Sequence, residues 1–514
     1  MWDREYYNEL DHRRAAARLG GGKVRVERQH ERGKLTARER VEALFDDETF
    51  IEVDDQMLSR CSDFGMEQKK VLGDGVVTGW GKVHGRTCFV ASQDFTVGGG
   101  SLGEAQAQRI CRAMDMAYDM RVPFVSINDS GGARIEEGVV GLSGYADIFF
   151  RNTRASGVIP QISVILGPCA GGACYSPAIT DFVFMARHNS QMYITGPAVV
   201  RSVTGEEISA NDLGGADIHA TRSGVSHFVY EDDLACINGV RRLLGYLPQN
   251  SDDASLVVPG TEVDETYRIP EIVPDDQRRS YDVREVIDTF VDRNSFLEVQ
   301  EGFAKNIVIG FARLGGKTLG IIANQSTYMA GSLELNASDK AARFIRFCDC
   351  FSIPLLTLVD VPAFLPGSQQ EHAGIIRHGA KLLYAYSEAT VPKVTLIMRK
   401  AYGGAFLAMC SKGVGADIVF AWPIVEIAVM GAAGAVSIIG RHAIQTAEDP
   451  SAKKEELLDD YNAKFMNPYI AAEHGFVDEV IRPEETRRRV VAALDMLRTK
   501  RQTRSERKHG NIPL

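Results

Sequence analysis

Two glycine-rich turns contain the residues whose types and spacing could do chemistry. One is Gly171-Gly172-Ala173, and the other is Gly403-Gly404-Ala405. Each turn follows an apolar, strand-like segment and opens a helix-like stretch, where the first backbone N–H groups have no partner inside the helix. Glycine lets a ligand approach the backbone closely, and the helix dipole adds partial positive charge. Such a turn can hold an oxyanion without any side chain.

Tight packing is the alternative explanation for these turns. Glycines at the change from strand to helix often serve only close contact between helix and sheet. A single turn would favour packing. Two turns at equivalent positions of a duplicated chain favour a function instead.

An internal repeat places the two turns at equivalent positions. The tripeptide Gly100-Ser101-Leu102 returns as Gly331-Ser332-Leu333, and Asp129 and Asp360 have the same spacing along the chain. The spacing between the two glycine turns is longer by a single position. A nearly constant spacing between separate landmarks indicates a duplicated domain.

The repeat predicts two domains, residues 1–255 and 256–514, joined within the Asp-, Ser- and Pro-rich residues 249–276. Each copy has an amphipathic helix, a proline, a buried strand, a glycine- or proline-rich loop, a second helix and an apolar strand. This alternation indicates an α/β fold. We expect strands at Phe124–Ile127 and Leu355–Val359, and a helix N-cap at Ser338.

Composition restricts the class of protein. The chain has 514 residues, of which 45% are hydrophobic, as in globular proteins with more than one core. A formal net charge of −10 argues against nonspecific binding of nucleic acid. Nine cysteines without a CxxC pair argue against a zinc site, so we predict no metal. We expect buried thiols in a reducing compartment, the cytoplasm, since the N-terminus lacks the features of a signal peptide.

Residues 418–440 are long and apolar enough to span a membrane. They contain Pro423, Glu426, Gly431 and Gly434, which interrupt a membrane helix. We therefore predict a buried strand, a turn and a helix over this segment.

Both ends of the chain are basic. Lys and Arg outnumber Asp and Glu between positions 1 and 40, and the stretch from Arg487 to Lys508 is basic as well. Two interpretations fit these ends: solvated helices, or a site for an anionic ligand or partner.

Several motifs resemble those of the biotin-dependent acyl-CoA carboxyltransferases. This family includes propionyl-CoA carboxylase β subunits, methylmalonyl-CoA decarboxylase α subunits and transcarboxylase large subunits. The resemblance covers nearly the whole chain. It rests on RGKLTARERVEALFD (32–46), DFGM (63–66), INDSGGARIEEG (127–138), GPCAGGACYSPA (167–178), AYGGAFLAM (401–409), AWPIVEIAVMGAAGAV (421–436) and KHGNIPL (508–514).

The resemblance implies two tandem crotonase-like domains, each a superhelix of strand-strand-helix turns. It also implies a homohexamer whose active sites lie between the N-domain of one protomer and the C-domain of another. Acyl-CoA would lie on residues 1–255, and biotin, on a separate carrier protein, on residues 256–514. The implied partners are a biotin carboxylase with its biotin carrier subunit, or membrane decarboxylase subunits.

The resemblance further implies roles for individual residues. Gly171-Gly172-Ala173 would hold the enolate oxygen of the acyl thioester, and Gly403-Gly404-Ala405 that of biotin, whose own nitrogen serves as the base. For Arg32, Lys34, Arg38 and Arg134, the alternative is an ordinary solvated charge. The implied substrate-binding residues are Arg32, Lys34 and Arg38 for the CoA phosphates and adenine, and Gly131, Gly132, Ala133 and Arg134 for the acyl-CoA pocket.

Leu407 lies two positions after Ala405, where the resemblance associates an acidic residue with propionyl-preferring members. A leucine would make the pocket floor apolar, closer to transcarboxylase and decarboxylase members. The predicted function is the carboxyltransferase component of an acyl-CoA carboxylase that acts on short-chain propionyl-CoA or methylmalonyl-CoA. The alternative is the α subunit of a sodium-pumping decarboxylase, or a transcarboxylase subunit.

Other classes of protein fit the turns less well. An enoyl-CoA hydratase needs a carboxylate pair beside the turn, and a Clp-like protease needs a nucleophilic serine. The positions around Gly171 and Gly404 supply neither. A scaffold that only binds the carrier would not need both turns intact.

Overall fold

A computed structural model describes residues 4–261, 264–502 and 507–513 of the chain. The chain divides into two compact units, Met1–Ala254 and Ser255–Leu514, so the division lies one residue from the predicted position. The predicted linker, 249–276, contains a 3₁₀ turn at Thr266–Arg268 and a short helix at Ile269–Ile272.

The first unit is a mixed sheet with helices. Its described strands are β1 (Ile51–Glu52), β2 (Val76–Val83), β3 (Arg86–Gln93), β4 (Phe124–Ser130), β5 (Gln161–Ala170), β6 (Phe182–Ala186), β7 (Gln191–Tyr193) and β8 (Phe228–Tyr230). Its described α-helices are α1 (Arg4–Leu19), α2 (Lys23–Glu31), α3 (Ala37–Leu44), α4 (Glu104–Met120), α5 (Gly138–Ala155), α6 (Tyr175–Ile179), α7 (Pro197–Thr204), α8 (Ala210–Gly214), α9 (Ala216–Ile218) and α10 (Asp233–Leu244). Short 3₁₀ turns at Asp63–Lys69, Gly98–Gly100, Ile135–Glu137 and Gly171–Cys174, and a π-helix at His219–Ser223, complete the unit.

The second unit repeats this plan. Its described strands are β9 (Leu297–Val299), β10 (Ile307–Leu314), β11 (Lys317–Asn324), β12 (Leu355–Val361), β13 (Lys393–Tyr402), β14 (Ile418–Ala421), β15 (Glu426–Ala428) and β16 (Glu479–Val480). Its described α-helices are α11 (Ile269–Ile272), α12 (Val283–Phe290), α13 (Leu335–Cys350), α14 (Ser368–Ala373), α15 (Ile375–Glu388), α16 (Gly403–Ala408), α17 (Ala432–Ile439), α18 (Arg441–Thr446), α19 (Pro450–Phe465), α20 (Tyr469–Glu473) and α21 (Thr486–Leu497). Further 3₁₀ turns lie at Met329–Gly331, Lys412–Val414 and Pro483–Glu485.

Strand order is equivalent in the two sheets. The first sheet runs β1-β2-β3-β4-β5-β6-β8 with β7 beside β5, and the second runs β9-β10-β11-β12-β13-β14-β16 with β15 beside β13. In each sheet the first three strands are antiparallel and all later pairings are parallel. The prediction of an α/β fold is confirmed.

The duplication is visible strand by strand. The same spacing separates the starts of β2, β3 and β4 from those of β10, β11 and β12, and the spacing from β5 to β13 is longer by a single position. These are the spacings of the sequence repeat. The predicted strands Phe124–Ile127 and Leu355–Val359 lie within β4 and β12. Side chains repeat as well, since Arg109 in α4 donates to Val76 O, and Lys340 in α13 donates to Ile307 O at 2.8 Å.

The predicted N-cap at Ser338 is wrong. Helix α13 begins at Leu335, and the carboxylate of Glu334 caps it by accepting from Asn336 N and Ala337 N at 2.8 and 2.7 Å. Ser338 is buried one turn inside the helix, where its hydroxyl donates to Glu334 O at 2.9 Å. Glu334 satisfies the free N–H groups first, so the helix starts earlier than the serine indicated.

The apolar segment 418–440 is broken as predicted. It contains strand β14, which is largely buried, then β15 and α17. Across the described ranges, no helix has the length and apolar character needed to cross a membrane. None of the nine cysteines, all of which lie in the described residues, forms a disulfide; seven of them are buried, whereas Cys61 is half-buried and Cys350 exposed.

A fully buried aspartate interrupts the register of the central strand in each unit. In β4 the register shifts between Asn128 and Ser130, around Asp129, and in β12 it shifts between Val359 and Val361, around Asp360. Both carboxylates have 0% exposure. A buried charge of this kind must be paired to be tolerated.

The two aspartates are paired by different cations. Asp129 binds Lys34 Nζ at 2.6 Å and Arg40 at 2.9 Å, and Asp360 binds Arg399 at 2.9 Å. The position equivalent to Arg399 is Gly167, where a built Cβ would lie 1.8 Å from Asp129 Oδ1. The glycine therefore leaves room for cations that arrive from the N-terminal segment.

Substitution of Arg40 by leucine should strongly destabilise the first unit. Arg40 also binds Asp233 at 2.8 Å, so its loss leaves two buried carboxylates short of a cation, at a cost of about 3–5 kcal/mol. The control is Arg60→Leu, which breaks the solvent-exposed pair with Glu104 and should cost at most about 1 kcal/mol. Thermal unfolding at matched protein concentration measures both, and similar melting temperatures for the two variants would contradict the expectation.

Candidate active site

The first glycine turn follows the end of β5. Residues Gly171–Cys174 form a 3₁₀ turn that continues into α6. Gly171 has φ +62°, a left-handed conformation that favours glycine, and a Cβ built on it would meet only Ile194 O, at 3.9 Å. A Cβ built on Gly172 would lie 2.8 Å from the ring of Tyr145, and Ala173 is buried. The turn therefore rests on an aromatic floor on its inner side.

The second turn follows the end of β13 and starts α16. Gly403 has φ +57°, close to the value of Gly171, and Ala405 is buried. Gly404 is exposed, and a Cβ built on it meets no atom within 4 Å. A bulky ligand can therefore approach the backbone of this turn more closely than that of the first.

The loop 131–134 connects the first turn to residues 98–102. Gly131 N donates to Gly99 O at 3.1 Å, and Leu102 N donates to Gly132 O at 2.9 Å. A Cβ built on Gly132 would lie 3.3 Å from Ala170 O, at the end of β5. Gly131 is exposed, Gly132 is buried, and Ala133 forms a bridge with Leu102. These contacts make one continuous backbone wall beside the first turn.

Arg134 anchors this wall from inside. Its guanidinium is buried and pairs with Asp74 at 2.9 Å and Glu137 at 2.8 Å, and it donates to Ser101 O at 3.1 Å. Burial raises the pKa of Asp74 above its ordinary value, against the opposing effect of Arg134. The alternative of a solvated charge is wrong for Arg134, which can shape the wall only through the loop that it holds.

A basic pocket of about 240 Å³ opens near the same loop. Its lining residues are Arg25, Arg28, Gln29, Arg32, Phe95, Thr96, Gly98 and Gly99. Arg28 and Arg32 are exposed, and neither forms an ion pair within the described part of the chain. Arg25 donates to Thr96 O at 3.1 Å. The pocket thus presents unpaired positive charge next to an aromatic ring and glycine backbone.

Sequence reasoning found Arg32 but missed Arg25 and Arg28. The signal was present, because these positions recur at intervals of three and four residues along α2 and its C-terminal end, which puts them on one face. The family motif begins at Arg32, so it gave no indication of the two arginines in the helix before it.

Lys34 and Arg38 do not line this pocket, because each is engaged in an ion pair elsewhere. Lys34 is buried against Asp129, its Nζ lies 4.9 Å from the centre of the Phe95 ring, and burial lowers its pKa against the effect of Asp129. Arg38 pairs with Glu52 at 2.7 Å. Of the three basic residues predicted to meet CoA, the structure therefore places only Arg32 at the pocket.

Side chains beside the turns offer little acid–base chemistry. Cys174 is buried, its Sγ donates to Gly171 O at 3.0 Å, and burial raises the pKa of its thiol. Leu407 is half exposed on α16. The described residues contain no group of three or more His, Cys, Asp or Glu placed to hold a metal ion. The groups best placed to hold negative charge are the backbone N–H groups at the helix starts.

Comparisons with known proteins agree with this geometry. The carboxyl transferase domain family matches residues 28–512. The propionyl-CoA carboxylase carboxyltransferase subunit of Haloferax mediterranei is 55% identical over 509 residues, covering 99% of both chains. The methylmalonyl-CoA decarboxylase subunit alpha of Propionigenium modestum is 55% identical over 509 residues, covering 98% of both. A crystal structure of transcarboxylase 12S, with methylmalonyl-CoA and methylmalonic acid bound, has a TM-score of 0.97 at 52% identity, covering 100% of this chain and 99% of that one.

The chain belongs to the carboxyl transferase family. Its two units are tandem crotonase-like domains, as in the transcarboxylase component. The resemblance drawn from the motifs, the predicted fold and the predicted class of enzyme are confirmed.

Proposed function

We propose that this carboxyltransferase moves a carboxyl group between biotin, held on a separate carrier protein, and the α-carbon of a short-chain acyl-CoA such as propionyl-CoA. The observation that carries this proposal is the pair of Gly-Gly-Ala turns, one at the same strand end of each unit. Transfer of a carboxyl group between two molecules requires negative charge to be held on each of them in turn. Two equivalent oxyanion turns meet that requirement.

The first turn is assigned to the acyl thioester. Removal of the α-proton puts negative charge on the thioester oxygen, and backbone N–H donors at Gly172 and Ala173 would hold it. One such donor contributes roughly 3 kcal/mol to a transition state. Burial raises the pKa values of the Tyr145 hydroxyl and the Cys174 thiol beside this turn, so both stay protonated at neutral pH. The chain therefore supplies position and charge stabilisation.

The second turn is assigned to biotin, and its residues fit that group. Gly404 is open to solvent with no atom near a built Cβ, so the ring system has space over the backbone. Biotin, when bound, carries the carboxyl group and provides the nitrogen that takes the α-proton. Gly403-Gly404-Ala405 would hold the charge on its oxygen.

The basic pocket is assigned to the phosphates of CoA. Arg28 and Arg32 present unpaired guanidinium groups, which bind phosphate with good geometry. The contacts from Gly99 to Gly131 and from Gly132 to Ala170 join this pocket to the first turn along one wall. A CoA thioester bound along it would place phosphates at one end and the acyl group at the other.

We also propose a homohexamer, because the similar transcarboxylase 12S structure is a hexamer. Exposed apolar side chains on each unit support such an assembly, with Ile135 at 90%, Val139 at 75%, Val429 at 77% and Ile439 at 72% exposure. The further partners would be a biotin carrier with biotin carboxylase, or membrane decarboxylase subunits, and the place of action the cytoplasm.

The physiological direction stays open between carboxylase, decarboxylase and transcarboxylase. Relatives named as carboxylase and as decarboxylase are equally similar, at 55% identity each. Leu407, half exposed one turn into α16, is proposed to make the surface beside the second turn apolar. This feature favours the decarboxylase or transcarboxylase alternative.

The proposal is tested by incubating the purified protein with free biotin and a panel of malonyl-CoA, methylmalonyl-CoA and glutaconyl-CoA. Biotin-dependent release of CO2 from one thioester is expected and would identify the acyl group. Release that does not need biotin, or no release from any thioester even with a biotinylated carrier protein added, would overturn the proposal.

Substitution of Gly404 by valine should abolish biotin-dependent turnover and leave acyl-CoA binding unchanged. The new side chain has room within the chain, so it fills only the space assigned to biotin. Turnover should fall by about 100-fold or more, as for loss of an oxyanion donor. Steady-state kinetics and calorimetric titration of acyl-CoA measure the two effects.

The control for this variant is Gly413→Val. Gly413 is also exposed, belongs to the same unit, and a Cβ built on it meets only Ser411 Oγ, at 4.0 Å. Full turnover is expected for it. An equal loss of turnover and acyl-CoA binding in Gly404→Val would contradict the separate roles of the two turns.

Replacing Arg28 and Arg32 by alanine should raise the KM for methylmalonyl-CoA with little change in kcat. A charge-assisted hydrogen bond contributes about 1.5–3 kcal/mol, so each residue should raise KM roughly tenfold or more. Initial-rate kinetics at low ionic strength measure this. With methylmalonyl-pantetheine, which lacks the nucleotide phosphates, the variants should have the same KM as the wild type. The control variant Arg14→Ala should have the wild-type KM for methylmalonyl-CoA. A KM that rises equally for both thioesters would contradict the assignment.

A further inference from the structure

Tyr402 and Glu426 form a polar contact at the edge of the second turn. Tyr402 is the last residue of β13, and its hydroxyl donates to the carboxylate of Glu426 in β15. Both side chains are half-buried. Burial, and then the nearby Glu426, raises the pKa of Tyr402, so its hydroxyl stays protonated and remains a donor at neutral pH. Nothing in the proposed chemistry of the turn uses this pair.

The contact ties a weakly attached segment to the turn. Strand β15 has three residues and, in the described part of the sheet, pairs with β13 alone. Directly after it, Val429 O lies 3.0 Å from a Cβ built on Gly403. The Tyr402 ring lies 3.7 Å from a Cβ built on Gly431, which precedes α17. Residues 426–431 therefore form the side wall of the turn, and Tyr402 binds Glu426 at one end of that wall and lies beside Gly431 at the other.

The first unit has the same aromatic packing without the polar contact. In the second unit the tyrosine ends the long strand and pairs with an alanine of the short strand. In the first unit the alanine, Ala170, ends β5, and the tyrosine, Tyr193, lies in the short strand β7. The Tyr193 ring lies 3.5 Å from a Cβ built on Gly196, which precedes α7 as Gly431 precedes α17. At the position of Glu426 stands Gln191, which donates to Asn211 at 2.9 Å. The hydroxyl–carboxylate contact thus belongs to the second turn only.

We propose that Tyr402 and Glu426 are positioning residues for the second oxyanion turn. Their hydrogen bond fixes residues 426–431 against Gly403, a glycine whose backbone is otherwise free to leave its left-handed conformation. Donors in such a turn stabilise charge only while they are held in the productive geometry. The inference rests on the proposed function and adds two residues that act through the turn without touching the ligand.

Kinetics separate this role from a general structural one. Tyr402→Phe and Glu426→Ala should lower kcat for biotin-dependent decarboxylation of methylmalonyl-CoA by about tenfold, with its KM within about twofold of the wild type. Glu426→Gln keeps an acceptor oxygen and should retain about half of kcat or more. The matched control is Tyr193→Phe, which removes the hydroxyl of the tyrosine with the corresponding aromatic packing in the first unit and should leave both constants unchanged.

Hydrogen exchange provides a readout that does not need turnover. Amides of residues 426–431 should exchange faster in Tyr402→Phe and Glu426→Ala than in the wild type, Glu426→Gln or Tyr193→Phe. Unchanged exchange overturns the inference even if kcat falls, and faster exchange with unchanged kcat also overturns it. The two proposals fail on different results. Absence of biotin-dependent turnover in the wild type overturns the proposed function. Unchanged exchange of residues 426–431 in the variants overturns the role of Tyr402 and Glu426.

Discussion

A buried carboxylate at the bulge of a central strand is the constraint on which the rest of each unit depends. Asp129 and Asp360 are fully enclosed, and an enclosed charge is tolerated only with close cations and hydrogen bonds. The partners that meet this need also bind the neighbouring strand: Arg40 donates to Leu166 O in β5, and Asp360 accepts from Lys400 N in β13. These strands end at the two glycine turns. The position of each glycine turn is therefore set a few residues upstream, by a buried ion pair.

Duplication gave both units the same frame, and substitutions within the frame made the turns different. Gly167 leaves space for Lys34 and Arg40 to reach Asp129 from another part of the chain. At the equivalent position of the second unit, the side chain of Arg399 itself provides the cation for Asp360. The first turn lies on the ring of Tyr145, whereas Gly404 of the second turn faces open space. We assign the compact thioester oxygen to the supported turn and the larger ring system of biotin to the open one. The proposed division of ligands follows from these side chains, since the backbone path is shared.

Sequence alone was enough for features that are local or periodic. The repeat, the β4 and β12 strands, the broken segment 418–440 and both turns follow from glycine positions and apolar spacing. Contacts between distant residues could not be predicted. Lys34 has the character of a phosphate ligand until Asp129 is seen beside it, and Arg40 meets Asp233 from a distant part of the chain. Such pairs form only when the chain is folded. Basic residues that look alike in the sequence are therefore either buried in ion pairs, as Lys34 and Arg40 are, or exposed without an ion pair among the described residues, as Arg32 is.

Backbone donors also determine how the site responds to pH. An N–H group does not titrate, so a turn built from Gly403-Gly404-Ala405 has the same donors across the neutral range. Among the titratable neighbours of the turns, Cys174 and Tyr402 stay neutral there, because burial raises their pKa values. In the proposed reaction, proton movement then belongs to the two ligands, and the chain contributes a fixed pattern of donors. A site of this kind depends on rigidity more than on any side chain's acidity, and this is why its supports are buried ion pairs and short strands.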